Sequence, residues 1–125
     1  MALTATACAP STALQTCDGA QSYGLAIRVL DASSGASLVQ GATGSIQDGA
    51  YAEPLTPGAA ENWPSLRENE QVLVGALERA GTYAVTVRHP GFQDWVTRDV
   101  RVTRGACGVS PRQMTARLAP EPDRR

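Results

Sequence analysis

The chain has 125 residues, a net charge of −1, and eleven basic residues that are all Arg. One domain suits that length, and the charge offers no general attraction to nucleic acid or to an anionic membrane surface. No apolar run approaches the length needed to span a bilayer, and many Gly and Pro with short apolar runs point to β-strands and turns rather than helices.

Residues 1–22 are rich in Ala, Thr, Ser and Gln and read as a flexible leader or tether. The opening M-A-L-T-A-T-A-C lacks a basic region and has too short an apolar core for a signal peptide, but it would fit the cleavage end of one. A β-domain is expected over residues 23–120, followed by a disordered tail at 121–125.

The first strand is predicted over 24–31, with Leu25, Ile27 and Val29 on one face and Arg28 on the other. A second, over 42–47, has Ile46 as its main apolar residue. Asp48-Gly49 then reads as the centre of a two-residue hairpin. The third strand, over 50–55, puts Tyr51 and Leu55 on one face, and Pro54 marks an edge or the strand's end. Residues 56–70 are irregular, broken by Pro57-Gly58 and Trp63-Pro64. The fourth strand, 71–78, sets Val72, Val74 and Ala76 against Leu73, Gly75 and Leu77, apolar on both faces and hence well covered. Over 82–88, Tyr83, Val85 and Val87 alternate with Ala84, Thr86 and Arg88. His89-Pro90-Gly91-Phe92 fits a type II turn. Over 95–103, Val96, Val100 and Val102 share a face that Arg98 interrupts, so either a bulge re-aims it or the first half is exposed on both sides. The last strand, 112–118, turns Met114, Ala116 and Leu118 inward. Seven strands separated by turn signals favour an all-β fold, a seven-stranded antiparallel Greek-key β-sandwich, over a closed barrel.

E-R-A-G-T-Y-A-V-T-V, H-P-G-F-Q-D-W and V-R-V-T-R-G-A-C, in that order, resemble the carboxypeptidase regulatory-like domain, a transthyretin-like (prealbumin-like) β-sandwich of bacterial secreted proteins and lipoproteins. I-R-V-L-D-A-S-S-G-A, I-Q-D-G-A-Y-A-E-P-L and the closing M-T-A-R-L-A-P extend the likeness over about residues 17–120. The resemblance implies a binding, stabilising or structural role without chemistry. It also implies a disulfide between Cys17 and Cys107, and an extracytoplasmic location in the periplasm or at the outer membrane. Such proteins often carry a His after the second cysteine, where this chain has Gly108.

Read from the residues alone, three cysteines permit one disulfide and one leftover. Cys8 follows Ala5-Thr6-Ala7, like a lipobox with Ala where Leu is usual. That makes Cys8 a lipidation candidate, the one route by which this chain would reach a membrane. The alternatives are a free thiol, a Cys8–Cys17 pair, or three reduced cytosolic thiols.

No catalytic set, cofactor site or metal site emerges. His89 is the lone histidine, short of a zinc peptidase's ligand set. No G-x-S-x-G elbow, Walker loop or dinucleotide fingerprint occurs. The chain ends R-L-A-P-E-P-D-R-R rather than with the Tyr-Arg-Gly-Ser of transthyretin-related hydrolases. Asp31, Asp94 and Asp99 lack calcium-loop spacing and read as strand-edge charges. Glu61, Glu68 and Glu70 around Arg67 read as solvated loop surface. Trp95 is expected to cover the end of the core, whereas Trp63, on the irregular loop, is the binding candidate; packing is the commoner role of large aromatics. The expected function is a non-catalytic cell-envelope scaffold or protein-interaction module, or alternatively a carbohydrate-binding accessory module. Its partner would be an envelope protein or glycan, not nucleic acid.

Overall fold

The computed structural model describes residues 17, 19–60 and 62–122. Cys8 and most of the expected leader lie outside the described residues, as does Glu61. The fold is all-β. Its strands are β1 (Tyr23–Asp31), β2 (Thr43–Asp48), β3 (Tyr51–Gly58), β4 (Val72–Leu77), β5 (Gly81–Arg88), β6 (Trp95–Val102), β7 (Arg104–Gly105), β8 (Gly108–Val109) and β9 (Arg112–Leu118). Seven form one sheet in the order β6-β5-β2-β3-β4-β1-β9, and β7 and β8 form a small hairpin apart from it. All pairings in the large sheet are antiparallel except β1 with β9. Among the described residues no helix is long and apolar enough to cross a membrane.

The sheet curls into a nearly closed barrel, a form the turn pattern had disfavoured. β3 makes the bend. Its first half, Tyr51 to Leu55, pairs with β2, and Thr56 to Gly58 pair with β4. The strand therefore runs through Pro54 and Pro57 instead of ending near Leu55. Pro54 is tolerated because that stretch has a backbone partner on one side only. The edge strands β6 and β9 meet across a seam. At one end Gln93 donates to the Ala119 carbonyl (2.8 Å) and Glu121 to the Gly91 carbonyl (2.9 Å). At the other, the Arg112 guanidinium donates to the Arg101 carbonyl at 3.2 Å.

The interior is filled by alternate residues of the seven strands, among them Leu25, Ile27, Val29, Ile46, Leu73, Tyr83, Val85 and Val87, all at most 1% exposed. Complete burial of one such aliphatic side chain is worth about 1.5–3 kcal/mol. Trp95 and Phe92 are half-buried against this core, as expected for Trp95.

Two alternations differ from the sequence reading because the backbone breaks period two, and one turn is shifted by a residue. Ala76 has φ 57°, so it joins the main core rather than the Val72–Val74 face, and Leu77 turns outward. Asp99 has φ 60°, and the β5–β6 register slips there, so Arg98–Asp99 is a bulge. The bulge puts half-buried Trp95 and Thr97 on the side of Val100 and Val102 and leaves Val96 51% exposed. The β2–β3 turn is centred on Gly49 and Ala50, because Asp48 already pairs with Tyr51. Only Gly49 has positive φ (60°), the pattern of a II′ turn with Gly in its first central position. The His89–Phe92 turn is as expected: Phe92 donates to the His89 carbonyl at 3.0 Å and Gly91 has φ 83°.

Candidate functional site

Loop 59–71 is folded over the sheet. Ala26, Val72 and Val74 point outward from β1 and β4 and form a second apolar cluster, 6%, 0% and 2% exposed. Ala60, Trp63 and Leu66 pack on it. Trp63 is thus half-buried, with its apolar body against the sheet. The loop's far end is anchored by a carboxylate. Glu70 receives two hydrogen bonds from the Arg28 guanidinium, at 2.8 and 3.0 Å, and one from the Arg67 amide at 2.9 Å. Both side chains are largely buried, 14% exposed for Arg28 and 4% for Glu70. Bonding to Arg28 is the main reason the Glu70 carboxyl lies below its ordinary range. Glu70 is therefore a structural anchor and not solvated loop surface, a correction to the sequence reading. The signal was Arg28 itself, a lone charge on the outward face of an otherwise apolar strand.

Two hollows flank this loop. One, of about 610 Å³, is lined by Ser37, Val39, Gln40, Arg67, Glu68 and neighbouring backbone. The other, of about 670 Å³, lies beside the disulfide. Its floor is outward-facing Ala26, Val74 and Gln113. Ala60 and Asn62 form one wall, residues 105–111 the other, and Tyr23 sits at its edge. Tyr23 is 41% exposed and pairs in register with Leu77, itself 43% exposed, so an apolar pair lies next to the groove.

The groove's walls are fixed by covalent and polar ties. Cys17 and Cys107 are joined, with Cα atoms 5.2 Å apart and a sequence separation of 90. Such a bond is typical of oxidising compartments and points to a location outside the cytoplasm. Next to it, Glu78 accepts from the Ser22 amide at 2.6 Å, and the Arg104 guanidinium donates to the Glu78 carbonyl at 2.6 Å. A Cβ on Gly108 would come 2.7 Å from the Glu78 carboxylate that Ser22 holds. Gly108 also has φ 126°, a backbone conformation that side-chain-bearing residues rarely adopt, so glycine suits the position after the second cysteine. The β7–β8 hairpin that presents Cys107 was not foreseen, although Gly105 and Gly108 on either side of Ala106-Cys107 are its turn signal.

A separate polar cluster closes one end of the barrel. Tyr83 is fully buried, and its hydroxyl donates to the Arg79 carbonyl at 2.8 Å while accepting from the Arg79 guanidinium at 3.0 Å. Arg79 also reaches Asp48 at 3.1 Å and stacks 3.7 Å from the Tyr51 ring centroid. The Tyr51 hydroxyl donates to Glu53, and this bond, more than burial, pushes it above its ordinary range. The other oxygen of Glu53 accepts from the Ala76 amide at 3.3 Å. Glu53 thereby substitutes for the β3–β4 ladder where the two strands separate. Every polar group here has a partner inside the protein, as fits a fastening.

His89 and the three aspartates are scattered. The His89 ring nitrogens lie 2.8 Å from the Pro90 carbonyl and 2.9 Å from the Gln40 carbonyl, which ties the turn to the β1–β2 connection. Asp31 accepts from the Ser33 amide at 2.7 Å, the main reason its carboxyl lies below the ordinary range. Asp94 pairs with Arg88 at 3.0 Å, and Asp99 is exposed in the bulge. Among the described residues no three His, Cys, Asp or Glu side chains gather where they could hold a metal ion. Compared with known protein families and with curated proteins, the chain matches none.

Proposed function

We propose that this chain is a non-catalytic extracytoplasmic module that serves as a scaffold or protein-interaction domain, with the groove beside the disulfide as its working surface. The observation that carries this reading is the groove's construction. Its floor is the outward side of β1, β4 and β9, one wall is a loop clamped by Arg28–Glu70, and the other is a hairpin pinned by Cys17–Cys107. A preorganised concavity loses little freedom when a partner binds. Trp63, the residue expected to make contact, serves the surface chiefly by holding its loop down. We place the module with the carboxypeptidase regulatory-like, transthyretin-like Greek-key sandwiches. Tyr83 supports this, since a tyrosine at the start of a strand bonded back to the corner before it marks such sandwiches. So does β3, which pairs with β2 over its first half and with β4 over its second, as a strand passing from one layer of a sandwich to the other would. Lipidation of Cys8 would tether the domain to the membrane.

A photo-reactive residue at Ser110, on the groove wall, tests the reading against the same probe at Thr86 on the outer side of β5. The expected result is a specific envelope-protein adduct from position 110 alone, lost in a Tyr23→Ala background. Equal labelling from both positions would contradict the groove as the working surface. A tryptophan fluorescence response to glycans would favour the carbohydrate-binding alternative. Intact mass of protein from native membranes reads out Cys8 acylation.

A further inference from the structure

The side of the barrel farthest along the sheet from β3 carries a different surface. β6 and β9 are the two ends of the strand order and face each other at the seam. Together they hold Arg98, Arg101, Arg112 and Arg117 against a single acid, Asp99. The arginines, scattered in sequence, are gathered by the fold. Arg112 is engaged with the Arg101 carbonyl. No ion pair among the described residues uses Arg98, Arg101 or Arg117, and all three are exposed. Alternation accounts for two of them. Val100 and Val102 point inward and leave Arg101 outward, while Ala116 and Leu118 do the same for Arg117. The bulge turns Arg98 to solvent as well. The seam runs antiparallel from the Phe92–Pro120 bridge to the Arg101–Arg112 bond, which brings Arg117 alongside Trp95 and Val96, just short of Arg98. The result is a cationic strip roughly 15 Å long at ~3.3 Å per strand residue, with exposed Val96 inside it.

We propose that this strip docks an acidic, extended polypeptide segment of an extracytoplasmic partner. Guanidinium forks bind carboxylates two bonds at a time. In an extended chain, same-side carboxylates recur about every 7 Å, the order of the separation between Arg98 and Arg101 along β6. Val96 supplies an apolar contact between the charges. The outer side of a curled sheet is convex, which suits a chain lying across it rather than a small enclosed ligand. This surface adjoins the groove at Arg112 but shares none of its lining residues.

Poly-glutamate titrated against the full chain, with dextran sulfate and anionic phosphatidylglycerol vesicles in parallel, is the test. Poly-glutamate should bind, and each of Arg98→Gln, Arg101→Gln and Arg117→Gln should weaken it about two- to fivefold. The triple variant, shown to be folded by its thermal unfolding, should lose about tenfold or more, and salt should weaken the wild type as the Debye length falls from about 10 Å at 0.1 M to about 3 Å at 1 M. Tyr23→Ala should leave this binding unchanged, which separates it from the groove. Absence of poly-glutamate binding, binding unmoved in the triple variant, or tighter binding to dextran sulfate or vesicles would overturn the proposal.

Discussion

Strands β4 and β5 are consecutive in the chain, yet they are covered differently. Val72, Leu73, Val74, Gly75 and Ala76 of β4 are all buried, because the core lies on one side and loop 59–71 on the other. β5 alternates: Tyr83, Val85 and Val87 are buried, whereas Thr82 and Arg88 on its outer side are exposed. A strand with two covers reads as a continuous apolar run, and one with a single cover reads as period two. The difference shows that the irregular loop is part of the fold's packing, and that the groove exists because one side of the barrel has a second layer.

The largest break comes from releasing the twice-covered side from its staple. Cys107→Ser is expected to cost about 4–5 kcal/mol by the loop-closure relation for a loop of this size. Urea unfolding of variant and wild type, with and without reductant, checks it; reductant should bring the wild type to the variant's midpoint. Next come two matched deletions. Val72→Ala, under the loop, and Val85→Ala, in the barrel core, should each cost about 2 kcal/mol, while Thr86→Ala on the outer face of β5 should stay within about 0.5 kcal/mol. If Val72→Ala were as mild as Thr86→Ala, the loop would not be a cover.

A smaller effect is expected at the loop's anchor. Glu70→Gln should cost about 1–2 kcal/mol at pH 7. Because Arg28 lowers the folded-state pKa of Glu70, the pair's contribution is complete above the unfolded value of about 4.3. It is lost as pH falls through the lower folded value, where the unfolded chain already binds the proton. The stability gap between wild type and variant should therefore close in acid, as read by unfolding midpoints between pH 7 and pH 2.

Much of this contrast was legible in the sequence. The inward sets Leu25-Ile27-Val29 and Tyr83-Val85-Val87, the type II turn, and the double coverage of β4 follow from periodicity and turn chemistry. The Cys17–Cys107 pair came from family resemblance, since spacing alone cannot choose a partner. What failed were places where one residue in the left-handed region changes the parity of everything beyond it. Ala76 carries no such signal; at Arg98–Asp99 the interrupted face did offer a bulge as one of two readings, but Val96 was still set with Val100 and Val102. Curling of the sheet into one nearly closed barrel depends on β3 exchanging partners at Leu55–Thr56, a long-range event. The groove and the arginine strip were hidden for the same reason. Gln113, Val74 and Ala60 meet only in space, as do Arg98 and Arg117.

The most direct test of the central claim, that loop 59–71 is a packed second layer over β1 and β4, is a double-mutant cycle between Trp63→Ala and Val74→Ala. Chemical denaturation of the wild type, both single variants and the double variant supplies the four free energies. The account predicts a coupling of about 0.5–1 kcal/mol between the two sites, as for side chains in contact. Strict additivity, within about 0.3 kcal/mol, would contradict it and return Trp63 to the solvent.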